Sequence, residues 1–249
     1  MTPRTGWSAE TFTASHGEAG GPKARLIGLV HLSYFLIALL GGFFIQRVVV
    51  AGDPAATATN LLAHETTYRA GFAIGLVGNL IYIALTALFY RLFKPVNRTI
   101  TLLMAFFSLV GCTTQIVASV LQLVPLVVLR DNQLLAAFKD GQLQAAALVS
   151  LRIYSQTFYI SFVLFALFDF LLGYLIFRST FLPRILGVLM MIAGVGAMTF
   201  LYPPLAIALK WVVLPVGGLA EGVLMLWLIV KGVNVARWEE RARAAHQIT

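Results

Sequence analysis

The sequence predicts an all-α membrane protein, a polytopic bundle of six transmembrane helices with short outer amphipathic helices. Three observations predict it. Six separate stretches of about 18 or more mostly apolar residues recur along the 249-residue chain, each long enough as a helix to match the hydrocarbon core of a bilayer. Only 11% of the residues are charged, roughly half the density of an average soluble domain. The chain is long enough for one such bundle and too short for two, so any chemistry belongs in the bundle or its connections.

Residues 1–22 are polar and rich in Gly, Ser and Thr, which predicts a disordered tail. A cleaved signal peptide is not expected, because the first apolar run has full spanning length and begins only after that tail. The spans fall at 25–45, 69–92, 99–124, 152–177, 184–202 and 210–231. After the first, Asp53-Pro54 offers an N-cap followed by proline at the first helical position, and residues 55–65 hold good helix formers. Leu61 and Leu62 give that segment an apolar side, so a short helix lying flat at the outer surface is predicted. The connection 131–150 carries Leu134, Leu135 and Phe138 before a break at Gly141, and residues 142–152 read as an outer extension of span four. Tyr202-Pro203-Pro204 stops the fifth span. The division is a tail 1–22, a six-helix domain 23–233 and a basic cytoplasmic tail 234–249.

Charge sets the orientation. Arg91, Lys94, Arg98, Arg178 and Arg184 flank two short hairpin turns, and further basic residues crowd both chain ends. Together they outweigh Arg47, Arg69, Arg130, Lys139, Arg152 and Lys210 on the other side by about two to one, which places both termini in the cytoplasm. The net charge of +8 therefore faces lipid head groups rather than nucleic acid. Expected partners are the bilayer and a small-molecule ligand; the oligomeric state is left open. Cys112 lies inside an apolar span and reads as a small packed hydrophobe.

Several segments together have a familiar pattern: Gly52-Asp53-Pro54-Ala55-Ala56-Thr57-Ala58 leading to Tyr68-Arg69-Ala70-Gly71; Leu92-Phe93-Lys94-Pro95-Val96-Asn97-Arg98; Gly173-Tyr174 through Leu182-Pro183-Arg184-Ile185-Leu186-Gly187; and Leu214-Pro215 through Glu221 to Lys231-Gly232. Over residues 23–233 the chain resembles a bacterial integral-membrane family known as domain of unknown function 4386. The resemblance implies a six-span protein of a bacterial cytoplasmic (inner) membrane. It implies no activity.

Function must then be sought among polar groups at membrane depth. An ionisable side chain in hydrocarbon costs about 2.5–3.5 kcal/mol even on insertion scales, so it persists when it pairs, faces a cavity or acts. Asp169 in span four and Glu221 in span six qualify. Counted back from Arg178 and Lys231 at 1.5 Å per residue, both lie roughly 14–15 Å above the cytoplasmic boundary. His31 on span one is about 9 Å, and Asn79 on span two about 18 Å, from the same boundary. These four form a candidate polar pocket that binds a proton, a cation or an amine; the competing reading is hydrogen bonding between helices. A weaker outer group holds Arg69, Gln115, Gln122, Arg152, Tyr154 and Gln156, in which Arg69 and Arg152 read as side chains snorkelling to the interface or as a cationic vestibule. Glycines at 71, 75 and 78, at 187, 194 and 196, and at 217, 218 and 222 are expected to let helices approach closely.

His31 is the one histidine within a span, which excludes a bis-histidine haem built from this chain alone. The sequence carries no Gly-x-Ser-x-Gly elbow, Walker loop or His-Glu-x-x-His helix, so no cofactor and no metal is expected. Small-solute or proton-linked binding and transport is the leading reading. A lipid-directed membrane enzyme and a non-catalytic partner subunit are the alternatives.

Overall fold

In hydrocarbon every backbone N–H and C=O needs an internal partner, and a helix supplies one within its own segment. A computed structural model shows that outcome for residues 23–50, 53–138 and 140–246. The predicted tail 1–22 lies outside these described residues. Helix α1 spans Ala24–Gln46, α2 Pro54–Ala63, α3 Glu65–Phe93, α4 Arg98–Arg130, α5 Asn132–Ala137 and α6 Asp140–Arg178. Then come α7 Arg184–Ala197, a 3-10 turn Met198–Leu201, α8 Pro203–Val230 and α9 Val235–His246. Helices α1, α3, α4, α6 and α8, together with α7 and its 3-10 turn, have the length and hydropathy to cross a membrane. The protein is an integral membrane protein, multi-pass and all-helical among the described residues.

Local chemistry sets the boundaries. Asp53 accepts a hydrogen bond from the Ala56 amide at 2.9 Å, with Pro54 at the start of α2, as the sequence predicts. Asn97 does the same for α4 through the Ile100 amide at 3.0 Å. Several boundaries differ from the sequence reading: α3 begins at Glu65 rather than 69 and α4 continues to Arg130 rather than 124. Gly141 lies inside the first turn of α6 rather than breaking a helix, and α6 then runs unbroken through residues 142–152 into its span. Pro203 opens α8 seven residues before the predicted start, because a proline without an N–H is well placed in a first helical turn. The same proline pair that stops one helix starts the next.

Both described chain ends lie at one end of the bundle, here the proximal end. Neighbouring spans touch in the order α1, α3, α4, α6, α7 and α8, and α8 returns to α1, so the six form a closed ring. Large apolar side chains such as Leu36, Phe106, Val117, Ile160 and Leu226 stand exposed on its outside, the surface that lipid covers. Helix α6, with 39 residues, is about 58 Å long, nearly twice the hydrocarbon thickness of about 30 Å. Its distal end protrudes, and α2 packs there against α3, α4 and α6. On α2, Leu61 is fully buried while Leu62 is exposed, so the inward face is Thr57, Ala58 and Leu61. At the proximal end α9 lies across both hairpin turns. Trp238 donates its indole N–H to the Leu92 carbonyl at 2.9 Å, and Arg237 donates to the Thr180 carbonyl at 3.1 Å. The predicted basic tail is thus a docked helix over residues 235–246.

The proximal half of the ring is packed solid around Phe89, Phe93, Phe168, Leu175, Leu224 and Leu228. Backbone contact between α6 and α7 makes this possible. A Cβ on Gly187 would lie 2.5 Å from the Gly173 carbonyl oxygen and 2.6 Å from the Phe177 amide nitrogen. One on Gly194 would meet the Ala166 carbonyl and the Phe170 amide, both at 2.7 Å. Gly28 brings α1 equally near α8, its Cβ position 2.9 Å from the Ile229 amide nitrogen. The expected close approach therefore holds at Gly71, Gly187 and Gly194, and adds Gly28 and Gly173. It fails at Gly75, Gly217, Gly218 and Gly222, whose Cβ positions have no atom within 4 Å.

This contrast is testable. Gly187→Ala is expected to destabilise the protein by about 1–3 kcal/mol, since backbone on the facing helix cannot move aside. Gly217→Ala is expected to leave stability unchanged. Thermal unfolding of both variants in the same detergent checks the pair, and equal melting temperatures would contradict the packing described.

Candidate functional site

Distal to that packed core the ring is hollow. A cavity of about 650 Å³ is lined by residues of all six spans, from Ile45, Gln122 and Tyr154 at its distal end to Tyr34, Tyr82, Asp169 and Glu221 at its floor. The floor is where the solid half begins: Phe168, next to Asp169, belongs to the core, and so does Leu224, one turn beyond Glu221. Gly42, Gly75, Gly217 and Gly218 line the space without touching anything across it. Their missing side chains enlarge the cavity instead of tightening a helix contact.

Asp169 and Glu221 reach the same cavity from α6 and α8. Asp169 is 8% exposed, and its Oδ1 is buried without a hydrogen-bond partner among the described residues. Such an atom costs free energy until a donor reaches it. Glu221 keeps a quarter of its side-chain surface accessible (25%), and its Oε2 lies 3.5 Å from Nε2 of His31. That distance is at the long end of hydrogen bonding, so the pair is loose. His31 is buried behind Glu221, off the cavity wall, with Nδ1 unpartnered among the described residues. Its ring packs edge-on against Phe89 at 6.1 Å between centroids. Asn79 lines the wall, its side-chain amide donating to the Gly75 carbonyl one turn back at 3.1 Å.

Of the four residues of the candidate pocket, three line one cavity and the fourth contacts Glu221 from behind. In the outer group Gln115, Gln122 and Tyr154 line the wall, in company with Ser119. Arg69, Arg152 and Gln156 are exposed and lie off it. Arg69 instead donates to Glu65 one turn away at 2.7 Å, and Arg130 of α4 reaches the same carboxylate at 2.6 Å. The two guanidinium groups and Glu65 tie α3 to α4 at the distal rim. Tyr34 and Tyr82, absent from the sequence candidates, pack edge to face at 4.6 Å between ring centroids beside the acids. Their spacing within apolar runs looks like ordinary core, and only their depth relative to Asp169 and Glu221 singles them out.

Residues 26–232, nearly all of the chain between its tails, match the family described as Domain of unknown function (DUF4386). The protein belongs to that family. Comparison with curated proteins and with solved structures returned no match. The matched residues of this DUF4386 domain take in the whole ring, the cavity and both acids, and stop just short of α9.

The coupling of His31 to Glu221 can be measured directly. Glu221→Leu leaves a buried imidazole with neither nitrogen partnered and is expected to cost about 1–3 kcal/mol. Adding His31→Leu removes the orphaned ring and is expected to recover most of that loss. A double-mutant cycle of unfolding free energies reads the coupling, and additive losses would contradict it.

Proposed function

We propose that this protein is a small-solute carrier whose binding site is the cavity, with Asp169 and Glu221 as the groups that exchange protons for solute. One observation carries the reading: two carboxyl groups from different spans share the floor of a cavity at the level where the packed half of the bundle begins. Carboxylates at membrane depth are retained where protons or ions pass. The solid proximal half and hollow distal half also fit an end state of alternating access in which the site is closed on its proximal side. His31, within reach of Glu221 at 3.5 Å, can hold the charge balance when a proton leaves. Asn79 and Gln115 add neutral hydrogen-bonding groups to the wall.

Orientation belongs to the same proposal. The basic residues around the proximal end support a cytoplasmic location for it, with both termini inside and the cavity facing outward across a bacterial inner membrane. Acid–base chemistry on a lipid is the lesser reading. His31 lies off the cavity wall, so an imidazole base would reach a substrate only through Glu221.

Liposomes containing the protein and a luminal pH dye test the exchange. Among organic cations, anions and neutral solutes added outside, at least one is expected to change luminal pH in a protein-dependent way. Asp169→Asn and Glu221→Gln are each expected to reduce that response at least tenfold while the variants melt near the wild-type temperature. A response unchanged in both variants, or no protein-dependent response to any solute, would refute the proposal.

A further inference from the structure

The wall of the cavity discriminates among solutes by charge. Its lining contains two carboxyl groups and, among the described residues, neither Lys nor Arg. Asp169 lines the cavity, and its Oδ1 is buried with no hydrogen-bond partner among the described residues, so the protein itself leaves this carboxyl group uncompensated. An anion entering here would meet repulsion at the floor and no compensating cation. Size and ligand number argue against a bare metal ion. The space of about 650 Å³ suits a drug-sized molecule, and no group of three or more His, Cys, Asp or Glu among the described residues is placed to hold a metal. Apart from the neutral polar groups of Asn79, Gln115, Ser119 and Gln122, the remaining wall is glycine, aromatic and aliphatic. Tyr82 packs against Tyr34 at 4.6 Å and against Phe165 at 5.1 Å, and Phe158 and Phe162 continue that side distally. Aromatic faces attract cations that carry apolar groups, because such cations are cheaply desolvated.

We infer that the cavity binds lipophilic organic monocations, quaternary or protonated amines and their phosphonium analogues. The positive centre sits between Asp169 and Glu221, and the apolar body rests against Tyr34, Tyr82, Phe158 and Phe162. Charge balance fits one positive charge. A monocation neutralises one carboxylate, and the other is met by a proton or by His31. The inference rests on the carrier reading of the same cavity and specifies its substrate.

Equilibrium binding separates the two claims, because it requires no transport. Radiolabelled tetraphenylphosphonium is titrated against the protein in zwitterionic nanodiscs, with empty nanodiscs subtracted. Tetraphenylborate, of nearly the same size and opposite charge, is titrated in parallel. Saturable phosphonium binding is expected, with no saturable borate binding. The double variant Asp169→Asn/Glu221→Gln is expected to weaken phosphonium binding at least tenfold. Gly217→Leu, which places a side chain where nothing stands within 4 Å, is expected to do the same by filling the cavity, and carries the test if the acid variant fails to fold. Borate bound as tightly as phosphonium, no saturable phosphonium binding by folded wild type, or affinity unchanged in Gly217→Leu would overturn the inference. Should phosphonium fail while a neutral or anionic solute drives the liposome response, the substrate class falls and the carrier reading stands.

Discussion

Helices in lipid gain nothing by hiding apolar surface from one another, since the lipid tails are equally apolar. Close backbone contact must hold this ring together, and it is distributed unevenly. Gly173, Gly187 and Gly194 seat α6 on α7 with no room for a single Cβ between them, and Gly28 seats α1 on α8. Of these, Gly194 alone stands outside the proximal half, near the floor of the cavity; in the distal half Gly71 brings α3 nearer to side chains of α1 than to its backbone. Where such contacts stop, the helices no longer fill the centre of the ring, and glycines on α1, α3 and α8 border open space. One residue type thus makes both the tightest and the emptiest parts of the bundle.

The carboxyl groups fall at the transition between those parts. One turn further into the packed half, Asp169 would have no access to any ligand. At the floor it is nearly buried yet keeps contact with the cavity. The two acids differ: Glu221 is in contact with a side chain of the protein, His31, whereas Asp169 Oδ1 is without a partner among the described residues.

Much of this was legible in the residues. Length and hydropathy locate all six spans, and Asp53-Pro54 marks α2, because bilayer thickness and helix capping act locally. The equal depth of Asp169 and Glu221 follows from the helical rise alone. What depends on rotation of one helix against another was hidden. Gly187 and Gly217 look alike in sequence, yet one touches backbone and the other open space. Arg69 and Arg152 read in sequence as snorkelling side chains or a cationic vestibule, and only the structure turns Arg69 to Glu65 and leaves both off the cavity wall. The tail helix α9 was hidden too, since Trp238 and Arg237 find their partners more than 50 residues away, at the end of α3 and in the turn after α6.

The hollow distal half is the central claim, and thiol accessibility measures it most directly. Single cysteines at Asn79, Ser119, Leu175 and Leu224, placed on a Cys112→Ala background, are exposed to a charged, membrane-impermeant thiol reagent in intact cells and in inverted vesicles. The account expects Asn79→Cys and Ser119→Cys to react rapidly in intact cells, while Leu175→Cys and Leu224→Cys stay unreacted in both preparations. Reaction of the first pair only in inverted vesicles would reverse the orientation. Failure of the first pair to react in either preparation, or equal reaction at all four positions, would contradict a cavity that ends at Asp169 and Glu221.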